Sequence, residues 1–189
     1  MYDWFQDQPA GTYAVYVTQD CPREMVEDWN TEALFSDAVS VSLWTNGSDG
    51  IAEIVDVFAS DSNIDDTTLG IDEEGVWRMH GKGVVEDASD VPAMVARQLG
   101  IDLRDYTIAP HQPNAKLLET LEEMYKVDFY KNVAKEHGNP TCSGAFIALE
   151  KVLAKEGKDN SPMKDILVMP FGAGGYGGFI LRRKHSRGG

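Results

Sequence analysis

The chain has 189 residues, of which 42% are hydrophobic and 25% are charged, so we expect one domain, or two small ones, with a buried core. Its formal net charge of −14 disfavours nucleic acid and anionic membranes as partners, because both carry negative charge. Two cysteines are too few for a disulfide framework, and no apolar run is long enough to span a bilayer. With no signal-peptide pattern after Met1, we expect a cytoplasmic protein, and its four scattered histidines predict no metal cluster.

The N-terminal residues predict strands followed by an exposed loop. Residues 12–18 are rich in β-forming side chains and predict a strand. A second strand is predicted within 33–45, where apolar and polar residues alternate, and a third over 51–59. Residues 46–50, Asn-Gly-Ser-Asp-Gly, are a strong turn signal and predict that the second and third strands form a hairpin. The acidic residues 60–74 predict an exposed loop.

The rest of the chain alternates helices with short apolar strands. The spacing of apolar residues predicts helices over 83–99 and 114–125, and a further helix that begins at Thr141 or Ser143. Alternation of this kind is typical of an α/β layered domain. Strands are predicted over 76–79, 106–109, 165–169 and 179–181.

A histidine follows the strand predicted over 106–109. His111 comes directly after Pro110, and ligands of layered α/β folds bind at the carboxyl ends of strands. A neutral imidazole there can donate a hydrogen bond to a developing oxyanion or transfer a proton near neutral pH. The alternative is a surface histidine without a chemical role, which position alone favours.

Two further signals point to the same chemistry. Asn139 lies between Gly138 and Pro140, and its amide can donate to an oxyanion without a change of charge, although Gly-Asn-Pro is also a common turn signature. Residues 172–178 contain five glycines, which let backbone N–H groups approach a substrate closely. Glycine-rich turns are common, and this one lacks the Lys-Ser or Lys-Thr ending of a P-loop.

Together these motifs resemble those of β-ketoacyl-acyl-carrier-protein synthase III, a thiolase-fold condensing enzyme. Residues 106–114, Tyr-Thr-Ile-Ala-Pro-His-Gln-Pro-Asn, are similar to the family's strand and His-Gln-Ala-Asn loop. Residues 137–145 are similar to its Gly-Asn-Thr-Ser helix start, and 165–182 to its closing strand, Phe-Gly-Gly-Gly loop and final strand. Residues 34–38, Leu-Phe-Ser-Asp-Ala, and 81–84, Gly-Lys-Gly-Val, also match segments of the family.

The resemblance covers about residues 12–182 and implies the C-terminal half of a thiolase-like layered α/β fold, a mixed sheet with helices packed on it. Residues 1–50 would correspond to the last strands of the N-terminal half, and 51–189 to the C-terminal domain. The part of the family that carries the nucleophilic cysteine has no counterpart in this sequence.

In the family, the cysteine takes an acyl group from coenzyme A, and a His and an Asn bind the thioester carbonyl of a malonyl group while CO₂ leaves. The resemblance implies that His111 and Asn139 are catalytic. It also implies acyl-CoA and malonyl thioesters as substrates, on coenzyme A or phosphopantetheine, with no separate cofactor. An acyl carrier protein would need a local basic patch here, which Lys131 and Lys135 would extend. The residues implied in substrate binding are Asn114, Lys116, Phe171, Gly172 and Gly174.

Neither cysteine fits the nucleophile. Cys21 precedes a predicted short helix, whose dipole would favour a thiolate, but it follows what resembles the strand after the nucleophile's helix. Cys142 lies three residues after Asn139, and we interpret it as a small, buried residue at a helix start. Pro113 and Pro140 replace smaller or polar residues of the family and stiffen both loops.

Four interpretations stay open. The chain is one part of a condensing enzyme whose cysteine lies on a separate chain, a non-catalytic scaffold or carrier-protein-binding subunit, a truncated piece of a longer enzyme, or a cysteine-free decarboxylase. An isolated half of this fold exposes apolar surface that normally packs against the other half. We therefore expect association with an N-terminal-half chain or with a second copy, not a stable monomer.

Overall fold

The computed structural model describes residues 2–20, 35–60, 69–71, 73–74, 77–79, 81–155, 164–172 and 175–184. The predicted short helix after Cys21 lies outside these ranges. The elements within them are α1 (Tyr2–Gln6), β1 (Tyr13–Asp20), β2 (Ala38–Thr45), β3 (Ala52–Ala59), β4 (Leu69–Ile71), β5 (Trp77–Met79), α2 (Gly81–Leu99), β6 (Thr107–Pro110), α3 (Ala115–Tyr125), α4 (Asn132–His137), α5 (Ser143–Lys155), β7 (Ile166–Met169), β8 (Phe171–Gly172) and β9 (Gly175–Arg183).

The strands form one larger sheet and two small ones. In the five-stranded sheet, β3, β9, β7 and β6 are neighbours in that order, and β8 pairs with β9. Strands β6 and β7 are parallel, whereas β3, β7 and β8 run antiparallel to β9, so the sheet is mixed, as expected. Strands β1 and β2 form an antiparallel two-stranded sheet of their own, and β4 pairs with β5. Strand β5 lies within the strand predicted over 76–79, whereas β4 lies within the predicted exposed loop over 60–74, so the loop prediction is wrong at 69–71.

The predicted hairpin between β2 and β3 is wrong. Strand β2 pairs with β1, from Tyr13 opposite Thr45 onwards, whereas β3 pairs with β9. The turn is anchored to the N-terminal residues, because Asn46 Nδ2 donates to the carbonyl of Gln8 at 2.8 Å, and Asn46 Oδ1 accepts from Thr12 N–H at 2.9 Å. The turn signal therefore marks the passage from the small sheet to the large one. The division of the chain at residue 50 into two units stays a prediction.

Helix α5 lies between the two-stranded sheet and the five-stranded sheet. Its apolar side chains share a buried cluster with β7 residues Ile166 and Val168. On its other side, the ring of Phe146 lies 5.3 Å from that of Tyr16 on β1. The order of layers is thus two-stranded sheet, helix, five-stranded sheet and a further helical layer. The α5 residues of the cluster are Ala145, Ala148, Leu149 and Val152.

Helices α2 and α3 form that further layer, on the opposite face of the five-stranded sheet. Their apolar stripes, predicted from helical spacing, pack against Leu167 and Met169 of β7. Since both faces of β7 are covered, all four of its residues are buried, which is the usual state of a central strand in an α/β fold. The buried stripe residues are Ala88, Val91 and Val95 on α2 and Leu117, Leu118 and Leu121 on α3.

The glycines of β9 serve sheet packing. Gly178 has φ of +149°, and a Cβ at this position would lie 2.0 Å from the carbonyl oxygen of Val168. A Cβ on Gly177 would lie 3.3 Å from the carbonyl oxygen of Phe58. At these two positions the glycines therefore let β9 fit between β3 and β7.

None of the helices in the described ranges combines the length and apolarity needed to cross a bilayer.

Candidate active site

His111 lies at the carboxyl edge of the five-stranded sheet, one residue beyond β6. Its backbone N–H donates to the carbonyl of Met169 at 2.9 Å, which ties it to the end of the parallel neighbour β7. Its imidazole packs edge-on against the ring of Phe171, with centroids 5.4 Å apart at 77°. Because the carboxyl ends of parallel strands meet at one edge, the His111 loop and Phe171 come together there.

Asn139 is held by both its backbone and its side chain. Its carbonyl accepts from Ser36 N–H at 2.9 Å, and its side-chain Oδ1 accepts from Thr141 N–H at 2.9 Å. With Oδ1 engaged in this turn, the amide presents Nδ2 as the donor group, which is what an oxyanion requires.

The turn after Asn139 is strained. Thr141 has φ of 42°, in the left-handed region that β-branched residues rarely adopt. Its hydroxyl is buried and makes no hydrogen bond within the described residues. Strain of this kind costs about 1–3 kcal/mol and clusters at functional sites, because the surrounding structure must hold it in place.

The two loops both approach the start of α5. A Cβ on Gly144 would lie 3.1 Å from Cβ of Gln112, the neighbour of His111, and 3.2 Å from Cγ of Pro140, the neighbour of Asn139. The predicted catalytic residues, 28 positions apart in sequence, are thus flanked by residues that both lie close to Gly144. Their catalytic roles stay predictions.

The predicted substrate-binding residues have mixed positions. Asn114 is the N-cap of α3, where its Oδ1 accepts from Leu117 N–H at 2.8 Å, and Lys116 is exposed in the first turn of that helix. Phe171 is buried under His111, whereas Gly172 is exposed with open space around it. Gly174 lies outside the described residues. Their contacts with substrate stay predictions.

The two cysteines were predicted not to be the nucleophile, and that stays a prediction. Cys142 is exposed, so the prediction that it is buried is wrong. Ser143 takes the buried position instead, with its Oγ 2.8 Å from Oγ1 of Thr18, because the first turn of α5 faces the two-stranded sheet. Cys21 lies outside the described residues.

The lysines predicted to extend a basic patch are paired with glutamates of α3. Lys131 contacts Glu122, and Lys135 Nζ lies 3.0 Å from Glu119 Oε1. The hydrogen bond from Lys135 lowers the pKa of Glu119, which favours the charged carboxylate. The local charge is therefore largely balanced, which weakens the expectation of a basic docking patch. In the described part of the chain, no cluster of His, Cys, Asp and Glu could hold a metal ion.

Sequence reasoning missed Gln112 as part of the site. The residue is fully buried, and its side-chain amide bonds to the backbone of three different segments. Its place in the His-Gln-Pro-Asn run was the only available signal, and that run does not tell a buried glutamine from an exposed one.

Comparison with known proteins gives the class of the fold. No protein-family profile and no curated protein match the chain. Among solved structures, 3-oxoacyl-[acyl-carrier-protein] synthase III from Aquifex aeolicus VF5 is 25% identical with a TM-score of 0.72, over 90% of this chain and 57% of that one. The synthase III from Pseudomonas aeruginosa PAO1 is 21% identical with a TM-score of 0.72, over 90% and 58%. PKS-I from the brown alga Ectocarpus siliculosus is 16% identical with a TM-score of 0.74, over 96% and 55%.

The chain therefore has a thiolase-like fold, and the predicted layered α/β architecture with a mixed sheet is confirmed. More particularly, it is similar to the synthase III structures, and the predicted resemblance to that family is confirmed. The chain spans little more than half the length of the solved structures it matches.

Proposed function

We propose that the chain is the enolate-stabilising part of a synthase III-like condensing enzyme, which acts on malonyl thioesters with a cysteine supplied by a separate or additional N-terminal half. The observation that carries the proposal is that the loops holding His111 and Asn139 both approach Gly144, with His111 at the sheet edge where ligands of such folds bind. The similarity to synthase III structures adds the reaction class.

The proposed step is a decarboxylation followed by a carbon–carbon bond formation. The bond between the malonyl carboxylate and the adjacent carbon breaks, CO₂ leaves, and the electron pair moves onto the thioester carbonyl as an enolate. His111 and Asn139 donate hydrogen bonds to that oxygen. The enolate carbon then attacks the acyl group on the cysteine, and the thiolate leaves. Removing one donor of this kind typically slows a reaction by about 10²–10³-fold.

The exposed outer face of the two-stranded sheet supports the proposal that the chain binds another polypeptide. This face belongs to the antiparallel pair of β1 and β2, and we name it the hairpin face. Six large apolar side chains on it are each 55–67% exposed. The inner face packs on α5 through residues such as Tyr16. Apolar patches of this kind mark interfaces, and we assign this one to the N-terminal half of the fold or to a second copy of the chain. The hairpin face consists of Tyr13, Val15, Val17, Val39, Val41 and Leu43.

Decarboxylation of malonyl-CoA tests the proposal, because this half-reaction needs the two donors and no cysteine. The purified chain, alone and together with the polypeptide encoded beside it, is incubated with carboxyl-labelled malonyl-CoA, and CO₂ and acetyl-CoA are measured. We expect His111→Ala and Asn139→Ala each to lower the rate by about 10²–10³-fold. His137→Ala and Asn132→Ala are matched controls, because both residues are exposed on α4, and we expect them to retain the wild-type rate. Folded wild-type protein that releases no CO₂ under either condition would refute the proposal.

A second candidate function is a non-catalytic thiolase-fold scaffold or carrier-protein-binding subunit. It is favoured by the structural use of residues implied in binding, since Asn114 caps α3 and Lys131 and Lys135 pair with glutamates. It predicts a complex with an acyl carrier protein that survives both alanine substitutions, measured by calorimetry. A complex without turnover would favour this candidate over the first.

A further inference from the structure

Gln112 is a buried side chain whose polar atoms are all used. Its Nε2 donates to the carbonyl of Pro110 at 3.1 Å and to that of Tyr130, and its Oε1 accepts from Ala134 N–H at 3.1 Å. The bond to Pro110 spans His111, which lies between the two residues, and so closes the turn that presents the imidazole. The side chain is 0% exposed, so these bonds do not compete with water.

The same amide holds the helix that leads to Asn139. Helix α4 has six residues, and its N-cap residue, Lys131, makes no side-chain capping bond. The N–H groups in the first turn of a helix have no acceptor within that helix. In α4, the N–H of Ala134 donates to Gln112 Oε1 instead. Since α4 ends two residues before Asn139, Gln112 fixes the approach to the Asn139 loop.

The aliphatic part of Gln112 also contacts the residues that follow Asn139. A Cβ on Gly144 would meet Cβ and Cγ of Gln112 at 3.1 and 3.3 Å, and Cγ of Pro140 at 3.2 Å. The stem of Gln112 therefore lies against the start of α5, and glycine at position 144 permits that approach. One side chain is thus in contact with the chain before and after Asn139.

We propose that Gln112 is a positioning residue that sets the placement of His111 relative to Asn139. The chemical meaning of that placement rests on the proposed function, whereas the placement itself does not. Only an amide supplies two donors to the carbonyls and one acceptor to the N–H at this site. A carboxylate loses both donors, and methionine loses all three bonds while keeping the length of the side chain.

The experiment compares Gln112→Met and Gln112→Glu with a matched control, Gln98→Met. Gln98 also donates from Nε2 to a backbone carbonyl, that of Ala59 at 3.0 Å, but it is exposed on α2. The first readout is NMR of the full chain, with the His111 ring and the Asn139 side-chain amide as probes. The second is the rate of malonyl-CoA decarboxylation, separated into kcat and KM.

We expect Gln112→Met to move the His111 and Asn139 signals together and to lower kcat by about 100-fold with KM unchanged, because misplaced donors act on the transition state. Gln112→Glu should approach wild type as the pH falls, since a protonated carboxyl regains one donor, whereas Gln112→Met should show no such recovery. Gln98→Met should change neither readout. If Gln112→Met shifts only the signals of its immediate backbone partners and leaves kcat intact, the inference is wrong.

Gly144→Ala keeps the test valid if Gln112→Met does not fold. It leaves the three bonds of Gln112 in place and pushes its stem away from α5, so it should move the same two signals. If His111 and Asn139 signals stay unchanged in Gly144→Ala and in Gln112→Glu at neutral pH, Gln112 does not position them. Wild-type protein without decarboxylase activity would defeat the proposed function, and the NMR signals would still decide the role of Gln112.

Discussion

The two-stranded sheet and the five-stranded sheet differ in what covers them. All four residues of β7 in the large sheet are buried, because α5 covers one face and α2 and α3 cover the other. Strand β2 in the small sheet alternates between half-buried and exposed residues, and its exposed positions are apolar. A sheet with one face in water usually carries polar residues on that face. The large sheet is therefore a completed core, whereas no layer formed by the described residues covers the outer face of the small one.

The difference in burial between the two sheets implies that their apolar side chains contribute to different free energies. In β7 they contribute to the stability of the chain itself, since full burial of one such side chain is worth about 1.5–3 kcal/mol. On the hairpin face, that free energy becomes available only when another polypeptide covers the side chains. Substitutions in the two sheets should therefore have effects of different kinds.

The largest effect is expected in the large sheet, from Gly178→Ala. The new Cβ would lie 2.0 Å from the backbone carbonyl oxygen of Val168 at a backbone φ of +149°. Neither the contact nor the dihedral can relax without separating β9 from β7, so we expect a loss of more than about 4 kcal/mol in the free energy of unfolding. Urea denaturation measures it. Gly172→Ala, with nothing within 4 Å of the added Cβ, is the control and should be neutral.

The hairpin face should respond in association and not in folding. Leu43 is 67% exposed, so Leu43→Lys should leave the unfolding transition of the chain nearly unchanged. We expect it to weaken self-association or partner binding by about tenfold or more, because a lysine would be buried without a partner. Light scattering coupled to size exclusion measures the change. A monodisperse wild-type monomer of ordinary stability would remove the distinction between the two sheets.

A smaller effect is expected where the two sheets are joined through α5. Ser143→Ala removes the buried hydroxyl that lies 2.8 Å from Oγ1 of Thr18 and should cost about 1–2 kcal/mol in the free energy of unfolding. Ser89→Ala is the matched control, since that hydroxyl donates to the carbonyl of Val85 on its own helix in an exposed position. Equal losses in the two variants would mean that the hydroxyl pair does not hold the small sheet on α5.

The smallest effect is expected at Asp102, in the turn before β6. Hydrogen bonds from Arg104 lower the pKa of Asp102 from 3.8 to about 2. A depressed folded-state pKa means that the stabilisation is present above pH 3.8 and is lost as the pH falls to about 2. Since the pair is exposed, Asp102→Asn should lower the Tm only slightly at pH 7, and the difference from wild type should vanish near pH 2. If the difference in Tm between Asp102→Asn and wild type were as large at pH 2 as at pH 7, the hydrogen bonds from Arg104 would not be its cause.

Much of the large sheet and its helices could be predicted from local sequence. The stripes of α2 and α3 repeat at helical spacing, and Asn114, predicted as the first residue of α3, is its N-cap. Helix α4 was not predicted, because its six residues carry no apolar period and its first turn is satisfied by Gln112 from another segment. The site residues His111 and Asn139 were found through the resemblance, and their chemical roles are still predictions.

By itself, the sequence determined most of the segments that become helices and strands, α4 and β4 excepted, since apolar periodicity and turn residues act over a few neighbouring positions. Only the tertiary structure decided which strands pair, because pairing is settled by contacts between distant residues, such as β3 with β9 instead of with β2. It also decided that Ser143 and not Cys142 faces inwards, and that the buried glutamine beside His111 bonds to α4, the helix that leads to Asn139. Burial at these positions depends on the whole set of packed layers, whereas the helical spacing of α2 and α3 indicated their buried stripes from local sequence.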